Sequence, residues 1–188
     1  MAKKPYFIFL FFFIYTFISC SEELVSSPPN IIYVLADDLG YGDLGVFNKE
    51  AEIKTPHLDQ MANEGMVFMD AHTSSSVCTP TRYGILTGRY NWRSTLKKGV
   101  LTGTSNGLIS KKRTTVASFL KSMGYYTAFI GKWHLGWNWA LNNSTFINTP
   151  IKDSEIFDKI DFSKKITKSP NDLGFDHAYG HCGSLDMP

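Results

Sequence analysis

Cysteine is scarce in this chain of 188 residues, which contains three, at positions 20, 78 and 182. Three thiols do not form the disulfide framework that stabilises small secreted domains. One bridge between Cys78 and Cys182 remains open in an oxidising compartment, and it would compete with any chemistry that uses the Cys78 side chain. At 43% hydrophobic and 14% aromatic residues, the chain can bury an apolar core and fold as one domain.

The sequence also lacks a charge excess and an apolar run long enough to span a membrane. Its formal net charge is +2, and removal of residues 1–19 would eliminate Lys3 and Lys4 and leave a charge of zero. Nothing therefore suggests a nucleic-acid partner. The apolar run from Tyr6 to Ile18 is shorter than the roughly 20 residues that a transmembrane helix needs.

The N-terminal segment is typical of a cleaved export signal, because a basic start precedes this short apolar run. Residues 17–20, F-I-S-C, resemble a bacterial lipobox, which implies a signal peptide at 1–19 and a lipid anchor on Cys20. An ordinary secretory signal is the alternative. Residues 20–29 form a tether that ends in two prolines. We expect an exported protein, in the periplasm or at the outer membrane or cell surface of a bacterium.

The apolar run N-I-I-Y-V-L-A at residues 30–36 predicts a strand buried on both faces of a parallel sheet. Asp37 and Asp38 follow it directly. Ligands gather beyond the carboxyl ends of such strands, and paired carboxylates suit Ca²⁺ or Mg²⁺. The alternative is that the pair caps the following turn. Asp43 is interpreted as structural.

Further elements alternate between helix and strand. Helices are predicted at 55–65, between the cap Thr55 and Gly65, and at 115–124. The second helix places Val116, Phe119, Leu120 and Met123 on one face, which is expected to pack in the core. Strands are predicted at 66–71 and 125–130. This alternation favours an α/β fold.

The stretch S-V-C-T-P-T-R-Y-G-I-L-T-G at residues 76–88 combines a cysteine, a proline and an arginine at the start of a predicted helix. Pro80 fits the first turn, where its missing N–H needs no partner. Cys78 lies at the electropositive end, and Arg82 returns to the same face four residues later. The pattern indicates an activated cysteine in an anion site, or a structural cysteine before a capped helix.

The segment G-K-W-H-L-G, residues 131–136, follows the last of these strands. In an extended chain Lys132 and His134 share one face. They would offer a cation and an acid or base at the carboxyl end of a strand, where the aspartate pair is also expected.

Residues 76–88 and 124–134, together with L-G-F-D-H-A-Y-G at 173–180, resemble the type I sulfatases, of the arylsulfatase A type. The resemblance implies an alkaline-phosphatase-like α/β fold with a mixed, mostly parallel sheet flanked by helices. Residues 30–188 would form the N-terminal part of the catalytic domain. The ending S-L-D-M-P resembles bacterial sulfatases that act on sulfated galactose-type glycans, so a sulfated glycan or another sulfate ester is the expected substrate.

The same resemblance implies a role for each site residue. Cys78 would be oxidised by a formylglycine-generating maturation enzyme, and its hydrate would attack the sulfate ester. Lys132 would contact formylglycine and sulfate, His134 would remove the remaining hydroxyl proton, and Arg82 would stabilise charge. Asp37, Asp38 and Cys78 would surround calcium, or magnesium in its place.

Members of that family are longer and supply further calcium ligands, a lysine and a histidine from a later segment. We therefore expect a truncated sulfatase with little activity as given. Two alternatives remain: a phosphoesterase of the same superfamily, and a non-catalytic surface lipoprotein that binds glycans. Trp137 and Trp139 would either stack on a sugar ring or pack beneath the loop.

Overall fold

The computed structural model describes residues 27–142 and 153–184. It divides the chain into two compact units, Met1–Asp38 and Leu39–Pro188. The predicted signal peptide at 1–19 and the predicted lipid attachment site at Cys20 lie outside the described residues. Within the described ranges, no helix is long and apolar enough to cross a membrane.

Four α-helices and two strands are described in the second unit. They are α1 (Pro56–Glu64), α2 (Cys78–Thr87), α3 (Val116–Ser122), β1 (Ala128–Lys132), α4 (Asp153–Phe157) and β2 (His177–His181), with 3₁₀ turns at Tyr41–Asp43, Asn91–Arg93 and Asn171–Leu173. The helices predicted at 55–65 and 115–124, and the helix predicted to begin near Cys78, are confirmed as α1, α3 and α2.

Local capping signals explain where these helices begin. Pro56 occupies the start of α1 after Thr55, where its fixed φ suits the first turn. At α3, Thr115 Oγ1 accepts a hydrogen bond from Ser118 N at 3.1 Å, and Ser118 Oγ accepts one from Thr115 N at 2.9 Å. This reciprocal pair satisfies backbone N–H groups that the helix itself leaves unpaired.

Strands β1 and β2 pair in parallel, in a register that runs from Ala128 opposite His177 to Lys132 opposite His181. Gly131 and Gly180 face each other, and a Cβ added at Gly180 would lie 1.9 Å from the Gly131 carbonyl oxygen. Glycine is therefore required for this close approach. Because the pair is parallel, both carboxyl ends lie at one edge, where Lys132 is the last residue of β1.

The core of the second unit lies beside this edge. Its buried members are Tyr83, Ile109, Trp133, Leu135 and Leu173. Phe129 meets the Trp133 ring edge-on, with ring centroids 5.1 Å apart. Tyr83 belongs to α2 and Trp133 follows β1, so apolar burial holds the helix that begins at Cys78 against the end of β1.

Two predicted strands are absent from the described residues. Residues 30–36 form no strand, and the side chains of Ile32 and Val34 are 87% and 84% exposed. Residues 66–71 are also irregular, with Met66 79% exposed. Both predictions are therefore wrong for this structure. A strand needs a hydrogen-bonded neighbour, and the pairing described here joins β1 and β2 alone.

The predicted core face of α3 is also wrong. Phe119 and Met123 are 55% and 63% exposed, whereas Ala117 is 2% exposed. The N-terminal end of the helix contacts the segment before β2 instead, where Thr115 Oγ1 donates to Leu173 O at 2.6 Å. Gly174 lies close enough that an added Cβ would come 2.4 Å from the Ser118 nitrogen.

Candidate active site

Cys78 is the first residue of α2, after Val77 in an extended conformation. Pro80 lies in the first turn and is buried, as the spacing predicts. The helix ends at Gly88, whose left-handed φ of 62° lets its N–H bond the Gly84 carbonyl. The Cys78 side chain therefore lies at the end of the helix where the partial charge is positive.

Lys132 meets Cys78 directly. Its Nζ lies 3.3 Å from Cys78 Sγ and 3.2 Å from Ser184 Oγ. All three side chains are half-buried. An ammonium group thus stands beside the cysteine, at the start of α2, in a position that suits an anion.

Arg82 lies one turn further along α2. Its Nη1 donates a hydrogen bond to the backbone carbonyl of Lys132. The guanidinium therefore ties the helix to the end of β1 and holds in place the residue whose side chain reaches Cys78. The predicted neighbourhood of Cys78, Arg82 and Lys132 is present in the structure.

His134 is placed differently from the extended geometry that the sequence suggested. Strand β1 ends at Lys132, His134 has a φ of 52°, and the Trp133 and His134 side chains are both 1% exposed. The prediction that Lys132 and His134 share one face of an extended chain is therefore wrong. His134 Nε2 lies 2.7 Å from the Leu101 carbonyl oxygen, and the His134 carbonyl accepts a hydrogen bond from Thr79 Oγ1 at 2.8 Å.

Ser184 is a site residue that the sequence argument did not assign. It follows β2, whose parallel pairing with β1 brings the segment after His181 to the same edge as Lys132. The available signal was the G-F-D-H-A-Y-G segment at 174–180, which ends within β2. A strand at that segment, parallel to β1, would place the residues after it beside Lys132.

Cys182 lies in the same segment but makes a different contact. Its Sγ donates to the Gly103 carbonyl at 3.0 Å, and burial raises the pKa of the thiol. Both Cys78 and Cys182 are free in the structure. The bridge between them, left open by the sequence, is therefore not formed.

The predicted metal ligands Asp37 and Asp38 end the first unit, where both are exposed and Asp38 has a φ of 61°. In the described parts of the chain, no group of three or more histidine, cysteine, aspartate or glutamate residues could hold a metal ion. Ca²⁺ takes six to eight oxygen ligands. Two adjacent carboxylates alone do not meet that requirement. Asp43 has a structural contact, accepting from Gly40 N at 2.7 Å.

Trp137 and Trp139 pack on each other. Their rings are perpendicular with centroids 5.5 Å apart, and Trp139 Nε1 donates to the Gly103 carbonyl at 2.9 Å. Trp139 also meets Phe162 edge-on. These contacts agree with packing beneath the loop, the second of the two roles suggested by the sequence.

Known proteins that are similar to this chain are sulfatases. The family model described as Sulfatase matches residues 29–186. The chain is 38% identical over 154 residues to N-acetylgalactosamine-6-O-sulfatase of Bacteroides thetaiotaomicron, covering 82% of the chain and 26% of that protein. It is 46% identical over 112 residues to arylsulfatase A of Homo sapiens, covering 60% of the chain and 22% of that protein.

One solved structure of similar fold matches the chain with 36% sequence identity and a TM-score of 0.71. The match covers 86% of this chain and 30% of the chain in the solved structure. Its title concerns the metabolism of multiple glycosaminoglycans by Bacteroides thetaiotaomicron. The fold is accordingly alkaline-phosphatase-like α/β, as the resemblance implied. The chain spans about a quarter of the length of the curated relatives it matches. Because the family model matches residues 29–186, this chain belongs to the sulfatase family.

Proposed function

We propose that the protein hydrolyses sulfate esters, using a nucleophile derived from Cys78 after oxidation to formylglycine. The observation that carries the proposal is the 3.3 Å contact between Lys132 Nζ and Cys78 Sγ at the first turn of α2. A sulfate group placed there would meet an ammonium and the helix N-terminus together. Membership of the sulfatase family supports the choice of sulfate over other anions.

Formylglycine would supply, as its hydrate, an oxygen nucleophile: one O–S bond would form as the S–O bond to the substrate alcohol breaks and the alcohol leaves. Later cleavage of the C–O bond would release sulfate and regenerate the aldehyde. The ammonium of Lys132 would bind a sulfate oxygen and stabilise the charge that develops there. Ser184, which contacts the same Nζ, would orient the ammonium. Arg82 would fix the backbone of Lys132, and His134 would accept the hydroxyl proton that leaves as sulfate is released.

Asp37 and Asp38 would hold calcium, or magnesium in its place. Carboxylates are the ligands that these hard cations prefer. The described residues complete no site of three or more such ligands.

The substrate we propose is a sulfated glycan. Two similar proteins support this choice. The Bacteroides relative is named N-acetylgalactosamine-6-O-sulfatase, and the solved structure of similar fold is described in connection with the metabolism of glycosaminoglycans.

The test is co-expression of the chain with a formylglycine-generating enzyme, followed by mass spectrometry of the peptide that contains Cys78. We expect conversion of the thiol to the aldehyde, and release of sulfate from an aryl sulfate or a sulfated glycan that is lost in Cys78→Ala. A chain with aldehyde present that releases phosphate but not sulfate would identify a phosphoesterase. Binding of sulfated polysaccharide without any release would identify a glycan-binding protein instead.

We also propose that the mature chain begins at Cys20 and is held at a membrane surface by lipid on that residue. In a bacterial host, fatty-acid labelling of the wild-type chain and its absence in Cys20→Ala would support this. Cleavage without labelling would indicate an ordinary secretory signal.

A further inference from the structure

Thr79, the residue after Cys78, is the most completely buried polar side chain near the site, at 0% exposure. Its Oγ1 donates to the His134 carbonyl at 2.8 Å and accepts from the Leu101 N–H at 3.1 Å. A threonine hydroxyl has one hydrogen to donate, so this donor is committed to His134. Thr79 therefore connects three separate segments: the start of α2, the loop at Leu101, and the turn after β1.

Leu101 closes the network. Its carbonyl lies 2.7 Å from His134 Nε2. A carbonyl can only accept, so Nε2 carries the hydrogen in this contact. In the neutral imidazole one ring nitrogen is protonated and the other is basic, so Nδ1 becomes the basic nitrogen. Leu101, whose N–H donates to Thr79 Oγ1, thus sets the tautomer of His134 through its carbonyl.

The backbone of His134 requires such support. Its φ of 52° lies in the left-handed region, which a residue with a Cβ rarely adopts. Strained conformations persist where the surroundings fix them, and Thr79 Oγ1 bonds directly to the carbonyl of the strained residue. Loss of the hydroxyl would leave that carbonyl and the Leu101 N–H without this partner in a buried place.

We infer that Thr79 is a positioning residue, which holds His134 in its left-handed conformation and, through Leu101, in the Nε2–H tautomer. Thr79 acts through the histidine and not on the substrate. The link to rate rests on the proposed sulfatase function, whereas the conformational role of Thr79 does not.

The test begins with the full chain labelled with ¹⁵N-histidine, observed near pH 9, where imidazole is neutral. The His134 signal is assigned by its loss in His134→Gln. We expect the Nε2–H tautomer in wild type and a mixture in Thr79→Val, a substitution of similar shape that lacks the hydroxyl. Thr79→Ser restores the hydroxyl and should restore the single tautomer.

Thr81→Val is the matched control. Thr81 lies on the same turn of α2 and donates to Ser75 O at 2.7 Å, away from His134. It should keep the wild-type tautomer. Observation of the Nδ1–H tautomer in wild type would overturn the inference without the need for any variant, even if Thr79→Val failed to fold.

The second readout is turnover per formylglycine, because a change beside Cys78 could also alter maturation. We expect Thr79→Val to lower kcat by about 10²-fold while KM stays within about threefold, and Thr79→Ser to recover most of the rate. An unchanged tautomer and an unchanged kcat in folded Thr79→Val would refute the role. A third outcome is an altered tautomer in Thr79→Val together with a wild-type chain that has no sulfatase activity. That outcome would keep Thr79 as the positioning residue and reject the proposed function.

Discussion

The Lys132 ammonium contacts groups of different kinds, among them the Cys78 thiol and the Ser184 hydroxyl, at 3.3 and 3.2 Å from its Nζ. The first is the group on which the proposed chemistry depends. The second is a polar partner that limits where the ammonium can lie. A lysine side chain has several rotatable bonds, so one hydrogen bond to a hydroxyl reduces the number of positions its charge can occupy.

Removal of the Ser184 hydroxyl should therefore weaken catalysis without unfolding the chain. For Ser184→Ala we expect a loss of about 1.5–3 kcal/mol of interaction with the charged lysine, or roughly ten- to hundredfold in kcat/KM for sulfate ester hydrolysis. Ser163→Ala is the control, because Ser163 bonds Asp161 at an exposed position. Equal rates in both variants, with equal formylglycine content, would show that Ser184 has no part in orienting Lys132.

Residues of the site differ in how far the sequence predicted them. Cys78, Pro80 and Arg82 are close in sequence, so helix geometry alone predicts their arrangement, and the structure agrees. The place of Ser184 depends on the pairing of β2 with β1, which is a contact between distant residues. His134 was expected on an extended segment. Its left-handed φ depends on contacts with Thr79 and Leu101, which are distant in sequence and could not be predicted from the local pattern.

At the level of elements, α3, β1 and β2 are joined through one carboxylate. Asp176 precedes β2 and accepts from Lys121 Nζ of α3 at 2.5 Å and from Thr127 N, just before β1, at 2.9 Å. The hydrogen bond with Lys121 is the main cause that lowers the pKa of Asp176 to about 2, followed by the bond from the Thr127 backbone. The charged form is thus favoured in the folded state.

This shift predicts a pH-dependent stability. Because the folded pKa of Asp176 lies below the usual value of about 3.9, its contribution is present above about pH 4 and is lost as pH falls towards about 2. Asp176→Asn should lower the Tm by about 2–4 °C at pH 7, with the difference from wild type shrinking over that range. Thermal unfolding followed by circular dichroism at several pH values measures this difference in Tm.

Asp161→Asn is the companion control for that melt. Asp161 bonds Ser163 and Lys164 within one exposed turn, so its loss separates no elements. A deficit in Asp176→Asn that stayed constant down to pH 2 would contradict the electrostatic explanation and indicate lost shape or packing.

The helices predicted correctly are those specified by neighbouring residues. Thr55 with Pro56, and Thr115 with Ser118, are local start signals, and the helices begin after them. The run at 30–36 has the composition of a buried strand, but a strand forms only against partners, which are distant in sequence. Composition predicted its type and could not predict its pairing.

For the second unit as a whole, burial is concentrated on one side of the sheet edge. Leu135 is 1% exposed and belongs to the core cluster with Tyr83 and Ile109. Ile130, five residues earlier and within β1, is 76% exposed, and its strand partner Tyr179 is 75% exposed. Two apolar residues of similar size in one stretch of chain thus have opposite environments.

This contrast predicts unequal costs for the same truncation. Leu135→Ala should lower the free energy of unfolding by about 2–5 kcal/mol, because it removes buried methyl groups and leaves a cavity. Ile130→Ala should cost less than about 1 kcal/mol, because little of its surface leaves water on folding. Urea denaturation of the 188-residue chain, followed by tryptophan fluorescence, measures both. Equal costs would mean that Ile130 is covered in solution, and that apolar burial extends across both sides of the β1–β2 pair.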